Sequence, residues 1–195
     1  MPLLNFNEII DLIAMTVFVG YIFSDMIPVR RDNYDPLVHY KSRFDFEGLK
    51  FAIMATAPAI IFHELAHKFV AISFGFNAIF YAFYRQTFTL ILGGLAILSK
   101  LTGFGLMLFV PGYVGISGYG THLEYAFAAL AGPMVNLILW LGSWLLLKKK
   151  LYNKKYYILL LLTSRINMFL FIFNMLPIPG FDGFNFFRHL IASFT

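Results

Sequence analysis

Residues 49–76 read LKFAIMATAPAIIFHELAHKFVAISFGF, an apolar run broken by His63-Glu64-Leu65-Ala66-His67. Its length and composition predict a helix able to cross a bilayer. Two histidines four apart on a helix project from one face, a turn apart, and can grip one metal ion through imidazole nitrogens. Glu64 lies about 100° round the helix from His63 and can take a proton from water at that metal. Ionisable side chains at membrane depth are costly and mark function. The pattern points to a metal-dependent hydrolase working within the membrane.

The composition agrees with that solvent. Hydrophobic residues make up 59% of the 195, charged residues 13%, and the mean hydropathy is +0.74, far from a soluble average. The chain has no cysteine, so thiolate ligands and disulfides are excluded and a metal must be held by His, Asp or Glu. The net charge is +5, and the basic residues sit mainly in two loops that flank apolar spans, 29–50 and 148–155. Membrane topology accounts for it, and a nucleic-acid partner is not expected. The opening residues MPLLNFNEIIDL lack a basic region before the apolar run, so the first span is expected to stay in the mature protein. No repeat or linker divides the chain. A single membrane-embedded domain over 1–195, with its core at about 49–190 and no separate regulatory domain, is the expectation.

The expected fold class is a mainly α polytopic membrane protein, with about four to six membrane-embedded helices and a small β-hairpin or sheet beside the site. Helices are expected over 5–27, closed by Pro28, over 49–74, stopped by Gly75, over 122–147 and over 156–176. Pro58 can kink the second of these. His39, in the polar loop, reads as solvated. AIFYAFY at 78–84 and LMLFVPGYVGI at 106–116 are aromatic and β-branched enough for strands, which must pair with each other or lie at the interface. Between them TLILGGLAILSKL, 89–101, is too short for an independent vertical span and suits a tilted or re-entrant helix. The glycines of GISGYG, 115–120, suit turns. The last segment, FNFFRHLIASFT, is expected to extend or cap the fourth helix.

A catalytic zinc takes three protein ligands and keeps one position for water, so His63 and His67 need a distant partner. Asp182 is the candidate. It follows the Pro-rich end of an apolar helix, where a carboxylate needs a partner or a metal. The bland reading makes Asp182-Gly183 an ordinary turn pair, but beside the histidine pair the ligand reading is favoured.

Taken in order, HELAH in one span, AGPMVN at 131–136 in a later one and NMLPIPGFDG at 174–183 resemble the signature of the site-2 protease family of intramembrane zinc metalloproteases. The resemblance covers roughly residues 49–190. It implies one zinc per chain, held by His63, His67 and Asp182, with Glu64 activating water for peptide-bond hydrolysis. It also implies that Asn174 binds substrate or stabilises the oxyanion, and that the partners are a transmembrane protein or peptide substrate and the lipid bilayer. Asn136 matches a less sharply defined family position and is read as a helix-packing hydrogen bond. Phe181 stands where the family commonly has an aliphatic residue before Asp-Gly.

Other polar residues receive structural readings. Arg165, mid-span, is expected to pair with an acidic group or carbonyls, or to snorkel if the helix ends early, in preference to a catalytic role. Glu124 suits a helix start. His122 is read as a cap or interfacial residue in preference to a ligand of a second metal, and His189 as interfacial. Counting Lys and Arg puts both basic loops inside and the metal nearer the opposite face, whereas the resemblance implies a site nearer the cytosol, so orientation stays open. A non-enzymatic membrane metalloprotein, such as a metal carrier or an inactive metal-binding homologue with the same fold, is the main rival, and Glu64 discriminates, since a carrier needs ligands but not necessarily a base there. A prenyl-protein protease could share HExxH but not the late Asn-to-Asp motif. A purely structural bundle leaves His63, Glu64, His67 and Asp182 unexplained.

Overall fold

A computed structural model of the protein describes residues 4–24, 46–102 and 112–195. In chain order the elements are α1 Phe6–Phe23, α2 Phe46–Ser73, β1 Asn77–Tyr81, α3 Thr87–Thr102, β2 Tyr113–Ser117, α4 His122–Lys148, α5 Tyr157–Asn174 and α6 Asp182–Ala192. The expected fold class holds: four helices are long and apolar enough to cross a membrane, Phe6–Phe23, Leu49–Ser73, His122–Lys148 and Lys154–Asn174, and one small antiparallel sheet accompanies them. His39, Pro28 and the start of the second expected strand lie outside the described residues.

Local signals set the helix ends. Asn5 and Glu8 form a reciprocal capping box at the start of α1, and Thr121 and Glu124 form another at the start of α4. Gly75, at φ 83°, ends α2, with Gly75 N–H donating to Ile72 and Phe76 N–H to Ala71. α2 runs unbroken through Pro58.

The bundle is packed through small residues. Ala52, Ala55 and Ala59 of α2 lie against Leu162, Ile166 and Leu170 of α5, and α4 buries Ala126, Ala128, Ala129 and Gly132. Small side chains let helix backbones approach where lipid offers no hydrophobic drive. α1 packs on α2 in the same way: a Cβ on Gly20 would stand 2.6 Å from Ile53 Cγ1. Large apolar side chains such as Ile13, Phe62, Leu98 and Ile138 face outward, while Glu8, Asp11, Lys68, Asn136 and Asn167 are buried. This inversion is what a hydrocarbon solvent selects.

β1 and β2 pair antiparallel, Asn77 opposite Ser117 through Tyr81 opposite Tyr113. The first strand is shorter than expected, because a 3-10 turn at Phe83–Arg85 replaces its end. Asp11 of α1 draws the chain inward at that turn, taking hydrogen bonds from Arg85 Nε at 3.1 Å and from the Tyr84 hydroxyl. The apolar segment after it is α3, 16 residues, shorter than the four spans as its length predicted.

The chain end departs from expectation. α6 is a helix in its own right rather than an extension of α5, because Pro177, Pro179 and Gly180 interrupt the backbone, Gly180 at φ 98°. Its first turn abuts the end of α5 so closely that a Cβ on Gly183 would stand 2.4 Å from the Met175 carbonyl. That contact brings Asp182, the first residue of α6, up to the two histidines of α2.

Candidate metal centre

His63 and His67 leave α2 on the face turned towards α4, and both are buried. A hydrogen bond from each Nδ1 fixes its ring. His67 Nδ1 lies 2.7 Å from the carbonyl oxygen of Ala128, which can only accept, so Nδ1 carries the proton. His63 Nδ1 donates to Asn136 Oδ1 at 2.6 Å; the Asn136 amide nitrogen donates in turn to Asn167 Oδ1 at 2.8 Å and to the Ala59 carbonyl at 3.1 Å. Both Nε2 atoms are thereby left as lone-pair donors aimed at one point.

Asp182 Oδ2 completes the set, 3.1 Å from His63 Nε2 and 3.2 Å from His67 Nε2, with the two Nε2 atoms 3.0 Å apart. Burial works to raise the pKa of Asp182, but the imidazoles of His67 and His63 outweigh it and hold the carboxyl below its usual range. The three donor atoms form a group that could hold a metal ion. Tetrahedral bonds of about 2.0–2.1 Å place neighbouring ligand atoms about 3.3 Å apart, close to the separations found. Two further observations fit a metal. A Cβ on Gly132 would stand 2.3 Å from His67 Nε2 and 2.7 Å from His63 Nε2, so only glycine leaves this space open. Glu64 is buried beside the donors, and its Oε2 has no hydrogen-bond partner among the described residues.

The centre opens into a cavity of about 780 Å³. Its wall includes Glu64, Tyr113, Val114 and Ile116 of β2, Asn174, and Asp182, Asn185 and His189 of α6. Asn174, the last residue of α5, is buried in that wall.

Over 178 residues the chain is 36% identical to a protein of Methanocaldococcus jannaschii named "Putative zinc metalloprotease", an alignment covering 91% of this chain and 81% of that protein. The chain belongs to this zinc metalloprotease family. No family model matches it, and no solved structure matches it.

In the metalloprotease, His63, His67, Glu64 and Asp182 converge from α2 and α6, and the donor set of two imidazoles and one carboxylate suits zinc. Asn136 does more than the packing expected of it, since it also fixes a histidine ring. Its place in AGPMVN, one helical turn after Gly132, was the available signal. Sequence reading missed Glu8 and Lys68. Lys68, next to His67, forms a buried ion pair with Glu8, and Glu8 also accepts the Phe80 N–H at 2.8 Å. One carboxylate thus ties α1 to the histidine helix and to β1. Arg165 is corrected: it is exposed, and no ion pair or hydrogen bond joins it to another of the described residues. Its neighbours Ser164 and Ile166 take the buried positions instead.

Proposed function

We propose that this metalloprotease is an intramembrane endopeptidase of the site-2 protease type, hydrolysing peptide bonds within or near transmembrane segments of membrane proteins. The observation that carries the reading is the buried Glu64 carboxylate, whose Oε2 has no hydrogen-bond partner among the described residues, beside three converging metal donors, on a helix long and apolar enough to cross a membrane. On this reading the chain is one multi-pass catalytic unit in the lipid bilayer, with one zinc per chain held by His63, His67 and Asp182.

Zinc bound there would supply Lewis acidity towards a water molecule and the scissile carbonyl. Glu64 takes the proton of the attacking water at its free oxygen and hands it to the amine nitrogen as the carbon–nitrogen bond breaks, so that one water yields one carboxylic acid and one amine. Asn174 donates its side-chain amide to the substrate carbonyl from the cavity wall. His63 and His67 hold their rings through Asn136 and the Ala128 carbonyl, which keeps both imidazoles oriented for the metal.

A substrate helix has its amides locked in intrahelical hydrogen bonds and must unwind before it can be cut. β2 supports a means of receiving the unwound chain. It pairs with β1 along one edge, and three of its residues line the cavity, so a substrate strand can add to its other edge. The reading is tested by offering purified protein in vesicles a transmembrane peptide and mapping the cut by mass spectrometry. A cut inside or beside the apolar segment supports it; cleavage of soluble peptides alone overturns it. Proline placed along β2 should reduce cleavage, and unchanged cleavage removes strand addition.

A further inference from the structure

Sixty-seven residues apart in sequence, His122 and His189 meet with their Nδ1 atoms 3.0 Å apart. That is the separation of the two Nε2 atoms in the metal centre. We propose that His122 and His189 form a second, exchangeable site for a borderline divalent transition cation, such as zinc, nickel or copper, at the rim of the cavity. Imidazole nitrogens suit these ions, and a pair at this spacing can chelate one once the proton between them is released and the rings turn slightly.

The pair is built rather than incidental to two loose side chains. The Tyr125 ring stacks on His189, centroids 5.0 Å apart and planes within 16°, and the Tyr125 hydroxyl donates to the Gly118 carbonyl at 2.8 Å. His189 is therefore fixed in ring plane. It sits in the last turn of α6, where the helix dipole favours a cation. His122 begins α4, where the dipole opposes one, but Glu124 in the same turn supplies compensating charge. Burial, reinforced by His122 and Arg188, lowers the pKa of His189, keeping its nitrogen available as a ligand. His122 is exposed, so water can complete the coordination shell.

The site is distinct from the metal centre yet shares its cavity. Asp182, Asn185 and His189 follow one another along one face of α6 and all line it. An ion on the histidine pair would sit beside His189, in the cavity wall that also carries Asp182.

The test uses untagged, zinc-loaded full-length protein in detergent, equilibrated with nickel, with metal counted per chain. The expected result is one saturable nickel per chain beyond the resident zinc. His122→Gln and His189→Gln should each weaken it at least about tenfold, the least that a lost ligand should cost when outer partners alone are worth that much. His39→Gln should leave it intact. Copper in place of nickel should show two coupled nitrogens by electron paramagnetic resonance in wild type and one in each single variant. Circular dichroism and retained zinc confirm that the variants fold. Absence of a saturable second ion in wild type, or equal nickel binding by the His122 and His189 variants, overturns the proposal and leaves a hydrogen-bonded histidine pair. Neither outcome bears on peptide cleavage, which is read separately.

Discussion

Asn136 accepts the Nδ1 proton of His63 at 2.6 Å and is itself held by Asn167 and Ala59, so a polar chain inside the bundle fixes the coordinating tautomer of one proposed zinc ligand. Asn136→Ala removes the acceptor and leaves His63 free to turn or change tautomer. Zinc affinity should fall about 10–100-fold, as outer-shell partners of metal-bound histidines are worth. Competition with a chromogenic chelator reads the change, and helical circular dichroism should be nearly unaltered.

Gly132→Ala tests the space between the rings. The added methyl would stand 2.3 Å from His67 Nε2, and the rings cannot retreat without giving up their bonds to Asn136 and Ala128. The variant should remain helical and bind zinc at least about tenfold more weakly, again on the scale of a disturbed ligand shell. Metal content after dialysis is the measurement. Unchanged affinity would mean that the helices yield at this point.

The pair Lys68 and Glu8 predicts a stability effect separate from chemistry. Lys68→Met leaves the Glu8 carboxylate buried without its cation, and breaking a buried pair on one side costs about 3–5 kcal/mol. Thermal unfolding in detergent should show the loss. Adding Glu8→Gln should restore part of it, because no charge is then stranded. If the double variant is less stable than Lys68→Met, the pair is not acting as a unit.

How far the chain was legible follows from the range of each signal. His63, Glu64 and His67 are legible because helical spacing alone puts them together. Asp182 is legible because a carboxylate after a Pro-rich helix end stands out in apolar sequence. Gly75 as the stop of α2 and Glu124 at the start of α4 are equally local. The partners of Glu8, 60 residues from Lys68 and 72 from Phe80, depend on how α1 lies across the bundle, and no local pattern encodes that. Pro177, Pro179 and Gly180 announce a break but not the direction of α6, which the backbone contact at Gly183 decides. Arg165 misled for a related reason: a mid-span charge implies a partner only when its helix face turns inward, and here that face is exposed.

The central claim is that Glu64 acts as the base at a zinc held by other residues, and Glu64→Gln tests it most directly. The glutamine keeps the size of the side chain and removes its ability to take a proton. Zinc per chain and cleavage of a transmembrane peptide are measured together in vesicles, on wild type and variant. The account predicts equal zinc in both proteins and a loss of turnover of at least about 10²–10⁴-fold in the variant, the worth of a positioned general base. Turnover equal to wild type with zinc retained would contradict it.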